Sequence, residues 1–246
     1  MKFFTICLLG LFACGQGDQP AFRDETVNAP PAANTKGNAT QNNKVERNMT
    51  EETHIKQLTL TAKAEKTQDA LVIDYEVQNQ TNDVLYVWDR MPDYPDNGPQ
   101  IISPDLAYVF FEDGKTLRVT RANLEPPKRI RVASKETPYL RALQGGAKAT
   151  GRIKLKLPVV EFSPYYGSPS EENSEPAEAS EVRLQIGWTD FREGMKLEEA
   201  TVSGEKVFVI SGAWPKPYQR IAEQRIALKI SVRVAKEDFE RTPVLQ

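Results

Sequence analysis

Four stretches of this chain alternate apolar and polar side chains with a period of two, and that period decides its fold class. Leu71, Ile73, Tyr75 and Val77 alternate with Val72, Asp74, Glu76 and Gln78. Ile153, Leu155 and Leu157 alternate with Arg152, Lys154 and Lys156, and Val182, Leu184, Ile186 and Trp188 with Arg183, Gln185 and Gly187. Ile226, Leu228, Ile230, Val232 and Val234 do the same against Ala227, Lys229, Ser231 and Arg233. Such alternation marks strands with one face in a core and the other in water. Turn signals separate the runs: "NQTND" at 79–83, and Asp113-Gly114 within "FFEDGKTLRV", a strong hairpin signal. Ten strands are predicted, near 55–65, 69–79, 83–89, 106–112, 115–121, 128–134, 149–158, 181–188, 205–211 and 224–234. No apolar run keeps a 3.6-residue period over three turns; only "GMKLEEA" at 194–200 has the makings of a short helix.

The expected architecture is all-β, two packed antiparallel sheets spanning about 54–236. In pattern it resembles the immunoglobulin-like and fibronectin-like β-sandwiches, without the Cys-Trp-Cys core signature of antibody domains. Two segments are predicted to be loops. Residues 89–105, "DRMPDYPDNGPQIISPD", carry four prolines; residues 161–181, "EFSPYYGSPSEENSEPAEASE", carry six Glu, three prolines and no Lys or Arg. The tail 237–246 is polar.

The amino terminus is different in kind. One of the two cysteines lies in "LLGLFACGQG", residues 8–17, where an apolar run from Phe3 to Ala13 gives way to polar sequence. That run is shorter than the roughly 20 residues a bilayer-spanning helix needs, and with Lys2 ahead of it has the form of a secretory signal. Leu11-Phe12-Ala13-Cys14 resembles the lipobox of bacterial lipoproteins. The resemblance implies cleavage after residue 13, a diacylglycerol on the Cys14 thiol and acylation of the new amino terminus, and two or three acyl chains anchor stably where one does not. Gly15 stands where an inner-membrane-retained lipoprotein has Asp, so the implied address is the cell envelope, lipid-anchored, at the outer membrane. Residues 14–53 are rich in Asn, Gln, Thr, Ala and Pro; such composition cannot bury enough apolar surface to fold, and a disordered tether is expected.

Composition closes several routes to catalysis. With one His in the chain, His54 at the start of the first strand, and no cysteine left over after lipidation, neither a cysteine–histidine site nor a serine triad is expected. No zinc site is expected either, and no cofactor. Asp93, Asp96 and Asn97 could offer oxygens to calcium, but Asx residues beside Pro and Gly ordinarily form turns. A carboxylate pair of the glycosidase kind stays open, because its members come from distant strands. Trp88 and Trp188 fall in strand phase. Trp214, between a strand end and two prolines with Tyr218 nearby, either plugs an end of the sandwich or stacks on a ligand.

Charge is the most informative remaining feature. The formal net charge is −2, which gives no support to a nucleic-acid partner. Residues 115–156 nevertheless hold 12 Lys or Arg against Glu125 and Glu136 alone. Arg118, Arg129, Arg131, Arg152, Lys154 and Lys156 all alternate with apolar neighbours. If their strands share a sheet, one exposed face is basic. It would be a plain solvated face, or would meet an anionic lipid, polysaccharide or envelope protein, or would be covered by the acidic 161–181 segment. The functional expectation is a non-catalytic envelope binding or scaffolding module, with an envelope hydrolase as the alternative.

Overall fold

The computed structural model describes residues 57–95, 98–127, 137–211 and 219–236. Among these residues there are thirteen strands and no helix. In chain order they are β1 (Leu58–Lys66), β2 (Ala70–Asn79), β3 (Leu85–Asp93), β4 (Ile101–Ser103), β5 (Tyr108–Glu112), β6 (Thr116–Arg121) and β7 (Tyr139–Leu143). They continue as β8 (Lys148–Lys156), β9 (Val159–Val160), β10 (Ser174–Asp190), β11 (Lys196–Val202), β12 (Glu205–Ser211) and β13 (Arg220–Ala235).

A small three-stranded sheet, ordered β1-β2-β8, is wholly antiparallel. The other sheet has ten strands, with β11-β12-β7-β3-β10-β13-β9 as its main path, β4 paired to β3, and β5 joined through β6 to β10. The chain is thus all-β, and neither sheet closes on itself. The core takes side chains from both sheets: Leu58 and Leu60 of β1, Leu71, Ile73 and Val77 of β2, Ile153 of β8, Val182, Leu184 and Ile186 of β10, and Ile230 and Val232 of β13. These are the residues of one parity in each run, so the period-two pattern named the inward faces correctly. Burying one such Leu or Ile contributes about 1.5–3 kcal/mol.

Two polar devices position the strands. Asn79, fully buried at the end of β2, donates to the carbonyls of Asp83, Leu143 and Gln144 at 2.7, 2.9 and 3.1 Å, while its own oxygen accepts from the Thr81 amide at 2.9 Å. The expected "NQTND" turn therefore ties the small sheet to β7 of the large one. At the β5–β6 hairpin, Asp113 and Gly114 both have positive φ (53° and 63°), the geometry that Asp-Gly supplies at little cost.

The 17-residue β10 pairs with β13 for most of its length and carries a bulge between Ala179 and Glu181. On its other edge it meets β6 in parallel over 181–186, then β3 in antiparallel over 187–190. The β13–β9 pairing is parallel as well. These two parallel ladders join strands distant in sequence, within a sheet that is otherwise antiparallel. Trp188 lies in the main core, whereas Trp88 is buried on the opposite parity of β3, outside that cluster.

Three expectations need correction. "GMKLEEA" is not helical: most of it is β11, paired residue by residue with β12 across a turn where Ser203 and Gly204 both have positive φ. The 89–105 segment is in part regular, since β3 runs on to Asp93 and pairs with β4. Residues 161–181 are not one long loop, because 174–181 form the first half of β10. Within that segment Glu161 is buried and accepts the amides of Phe111 (3.1 Å) and Ala235 (3.0 Å), joining β5 to β13. The predicted strand at 128–134, the tether and the tail lie outside the described residues.

Gly151 of β8 faces Tyr75 of β2 in register, and a Cβ there would sit 2.2 Å from the Tyr75 ring. The phenol can lie under β8 only because residue 151 has no side chain. Gly151→Ala is expected to destabilise the domain by about 1–3 kcal/mol, as overpacking in a filled core does, read as a lower urea midpoint at unchanged slope.

Candidate binding face

The outward face of the small sheet is built by alternation. Register sets Lys63, Asp74 and Arg152 in one row across β1, β2 and β8, and Thr61, Glu76 and Thr150 in the next. At these rows lies an open groove of about 350 Å³, lined by Thr61, Lys63, Asp74, Glu76 and Thr150 together with Ala62, Tyr75 and Gly151 of the row between them. Arg152 grips Asp74 with two nitrogens, at 2.6 and 3.0 Å, and Lys148 reaches Glu76 at 2.8 Å. The Arg152 hydrogen bond holds the Asp74 carboxyl below the usual carboxylate range.

Lys154 and Lys156 are placed differently. Their register partners on β2 are Val72 and Ala70, which offer no charge. Both are exposed, and neither joins an ion pair among the described residues. Two positive charges about 7 Å apart, at the strand repeat, thus stand at the end of β8 with no counter-charge paired to them among the described residues.

Arg118 does not share this face. It belongs to β6 in the ten-stranded sheet, so the condition for one basic face including both Arg118 and the β8 cations is not met. The guanidinium donates to Glu112 at 2.6 Å and lies 4.1 Å from the centre of the Phe110 ring. Glu112 also takes Arg183 at 3.3 Å, and Arg183 and Arg225 both approach Glu181 at 3.8 Å. Glu223 receives Gln185 and Arg225 at 2.8 and 3.0 Å. Burial works against the Glu223 charge, yet these donors outweigh it and the carboxyl titrates below its ordinary value. This ladder of arginines and glutamates uses up the charge on its part of the large sheet.

Four of the six acids of 161–181 are engaged within the large sheet: Glu161 with backbone amides, Glu181 with Arg183 and Arg225, and Glu171 and Glu178 with cations of β13. Glu178 pairs with Lys229 at 3.5 Å and Glu171 with Arg233 at 3.8 Å. Arg129, Arg131, Trp214, Tyr218, Cys14 and His54 lie outside the described residues, as do Asp96 and Asn97. Among the described residues no three His, Cys, Asp or Glu side chains gather as a metal site.

A second cluster was not singled out from sequence. Asp89 of β3 is buried, its side chain wholly so. Its Oδ2 accepts from Arg141 Nη2 of β7 and from the Tyr75 hydroxyl at 3.3 Å, and its Oδ1 from Arg90 Nη1 at 3.4 Å. Arg121 of β6, 2% exposed, donates to the Tyr75 oxygen at 3.1 Å, to the Leu106 carbonyl at 3.0 Å and to the Pro104 carbonyl. Burial, then the Asp89 charge, push the Tyr75 phenol above its ordinary value. The signal was parity: Asp89 is in phase with Leu85 and Val87, and Arg121 with Leu117 and Val119, so both charges point where apolar residues point. Enclosed in this way, the cluster is a structural lock and presents no open site.

No family model, curated protein or solved structure matches this chain.

Asp74 provides a direct check on the face. Its folded-state pKa is depressed, so its stabilising contribution is present above the unfolded value near 3.9 and is lost as pH falls through the folded value. In Arg152→Gln, the Asp74 carboxyl carbon, followed by NMR, should titrate at higher pH than in the parent protein.

Proposed function

We propose that the protein is a lipid-anchored lipoprotein of the bacterial envelope, outer-membrane-directed, whose β-sandwich is a non-catalytic binding module. Its working surface is the outward face of β1-β2-β8, and its partner there is anionic. Anchoring rests on Leu11-Phe12-Ala13-Cys14-Gly15; the immunoglobulin-like frame rests on the strand alternation.

One observation carries the choice of face. The charges around Asp89, along the Arg118–Arg183–Arg225 ladder and at Asp74 and Glu76 are matched, while Lys154 and Lys156 are exposed beside neutral partners. Unneutralised charge is what assists encounter with a charge of opposite sign. Hydrolysis is less well supported by the same face. A glycosidase pair needs one carboxyl with a raised pKa across a gap from the other; Asp74 and Glu76 leave one strand on one side, and the Asp74 shift is downward.

Two variants test the reading. Cys14→Ala should abolish incorporation of labelled palmitate and release the protein from membranes in a salt wash; continued labelling would refute the anchor. The double variant Lys154→Glu, Lys156→Glu should elute from heparin at clearly lower salt, with up to about tenfold weaker binding, given about 0–1 kcal/mol per exposed contact. Arg118→Gln should leave elution unchanged. Equal retention of parent and double variant would refute the choice of face.

A further inference from the structure

We propose that β8 accepts an extended acidic peptide as a fourth strand of the small sheet. The inference rests on the reading that this face binds an anionic partner, and it specifies what that partner is.

β8 is an edge. It pairs with β2 along nine residues, and among the described residues no strand pairs with its other side. The backbone groups along such an edge form a ready template for another chain. The strand's own side chains restrict which chain fits. Lys148, Thr150, Arg152, Lys154 and Lys156 point outward, and the strand contains no acid. Ala149, Gly151, Ile153 and Leu155 point inward, where Ala149 and Leu155 are only partly buried against the core.

Those two faces rule out one partner and describe another. A second copy laid antiparallel on β8 would set cation against cation, and like charges directly opposite destabilise a strand pair. A strand of opposite pattern would place carboxylates beside the outward cations. Its apolar residues would extend the inner face past Leu155. Lys148 and Arg152 already have Glu76 and Asp74, so the charge-bearing contacts fall at Lys154 and Lys156. The partner therefore has two acids at i and i+2 with an apolar residue between them, a period-two pattern matching that of β8. A polysaccharide or a lipid headgroup could satisfy the lysines, but neither can use the strand edge.

The test uses the full chain in detergent micelles and fluorescein-labelled nonapeptides read by anisotropy. One peptide alternates Glu and Val; a second has the same composition with the glutamates blocked together. Two further forms of the alternating peptide are N-methylated at alternate amides, one set or the other, so that each loses the donors of one edge. Heparin binding is measured alongside. The alternating peptide is expected to bind roughly tenfold more tightly than the blocked one. One N-methylated form should bind and the other fail, and Lys154→Glu with Lys156→Glu should remove binding. Equal binding of all four peptides, with heparin binding still dependent on Lys154 and Lys156, would overturn strand addition and leave the anionic-face reading standing. Failure of the peptides and of heparin alike would overturn both.

Discussion

A carboxylate with no access to water has to be surrounded by donors, and Asp89 sets that requirement between the two sheets. Removing an ion from water costs several kcal/mol in a protein interior unless hydrogen bonds and opposite charge replace the solvent. Here the replacement comes from three directions: Arg90 beside it on β3, Arg141 on β7, and the Tyr75 hydroxyl from the opposite sheet. Arg121 completes the arrangement, spending its remaining donors on the carbonyls of Leu106 and Pro104. Several features follow from that one burial. Gly151 must lack a side chain so that Tyr75 can reach across, and the segment between β4 and β5 is held by Arg121.

The same economy of charge organises the surface. The arginines and glutamates of β5, β6, β10 and β13 neutralise one another along the large sheet, and Glu161 spends both oxygens on backbone amides. Against that background Lys154 and Lys156 stand out because β2 places only Val72 and Ala70 beside them. A locally basic sequence thus becomes a small basic edge, while other cations of the same stretch serve other ends: Arg118 in the ladder, Arg121 and Arg141 around Asp89, Lys148 and Arg152 with Glu76 and Asp74.

Alternation made the inward faces legible. For β2 and β13 it named the core residues, and it put Trp188 inside. It could not name partners, because a period of two says which face is buried and not which strand lies alongside. Hence the parallel joining of β6 to β10, the placing of Arg118 and β8 on different sheets, and the inclusion of 174–181 in β10 emerge only from long-range pairing. The strand character of β11 is a related case: Glu and Lys favour helix locally, and pairing with β12 across Ser203-Gly204 overrides that preference. Asp89 and Arg121 were visible in the right phase, yet a charge in an apolar phase has meaning only once its counter-charge is in place.

The dependence of the fold on this lock is tested most directly by a double-mutant cycle on Tyr75→Phe and Asp89→Asn, with unfolding free energies from urea titration of the two single variants, the double variant and the parent. If the phenol and the carboxylate act as one unit across the sheets, the two losses will be coupled, by about 0.5–3 kcal/mol, and the double variant will lose less than the sum of the singles. Losses that simply add, within about 0.3–0.5 kcal/mol, would show that the sheets are held together without the Asp89 network.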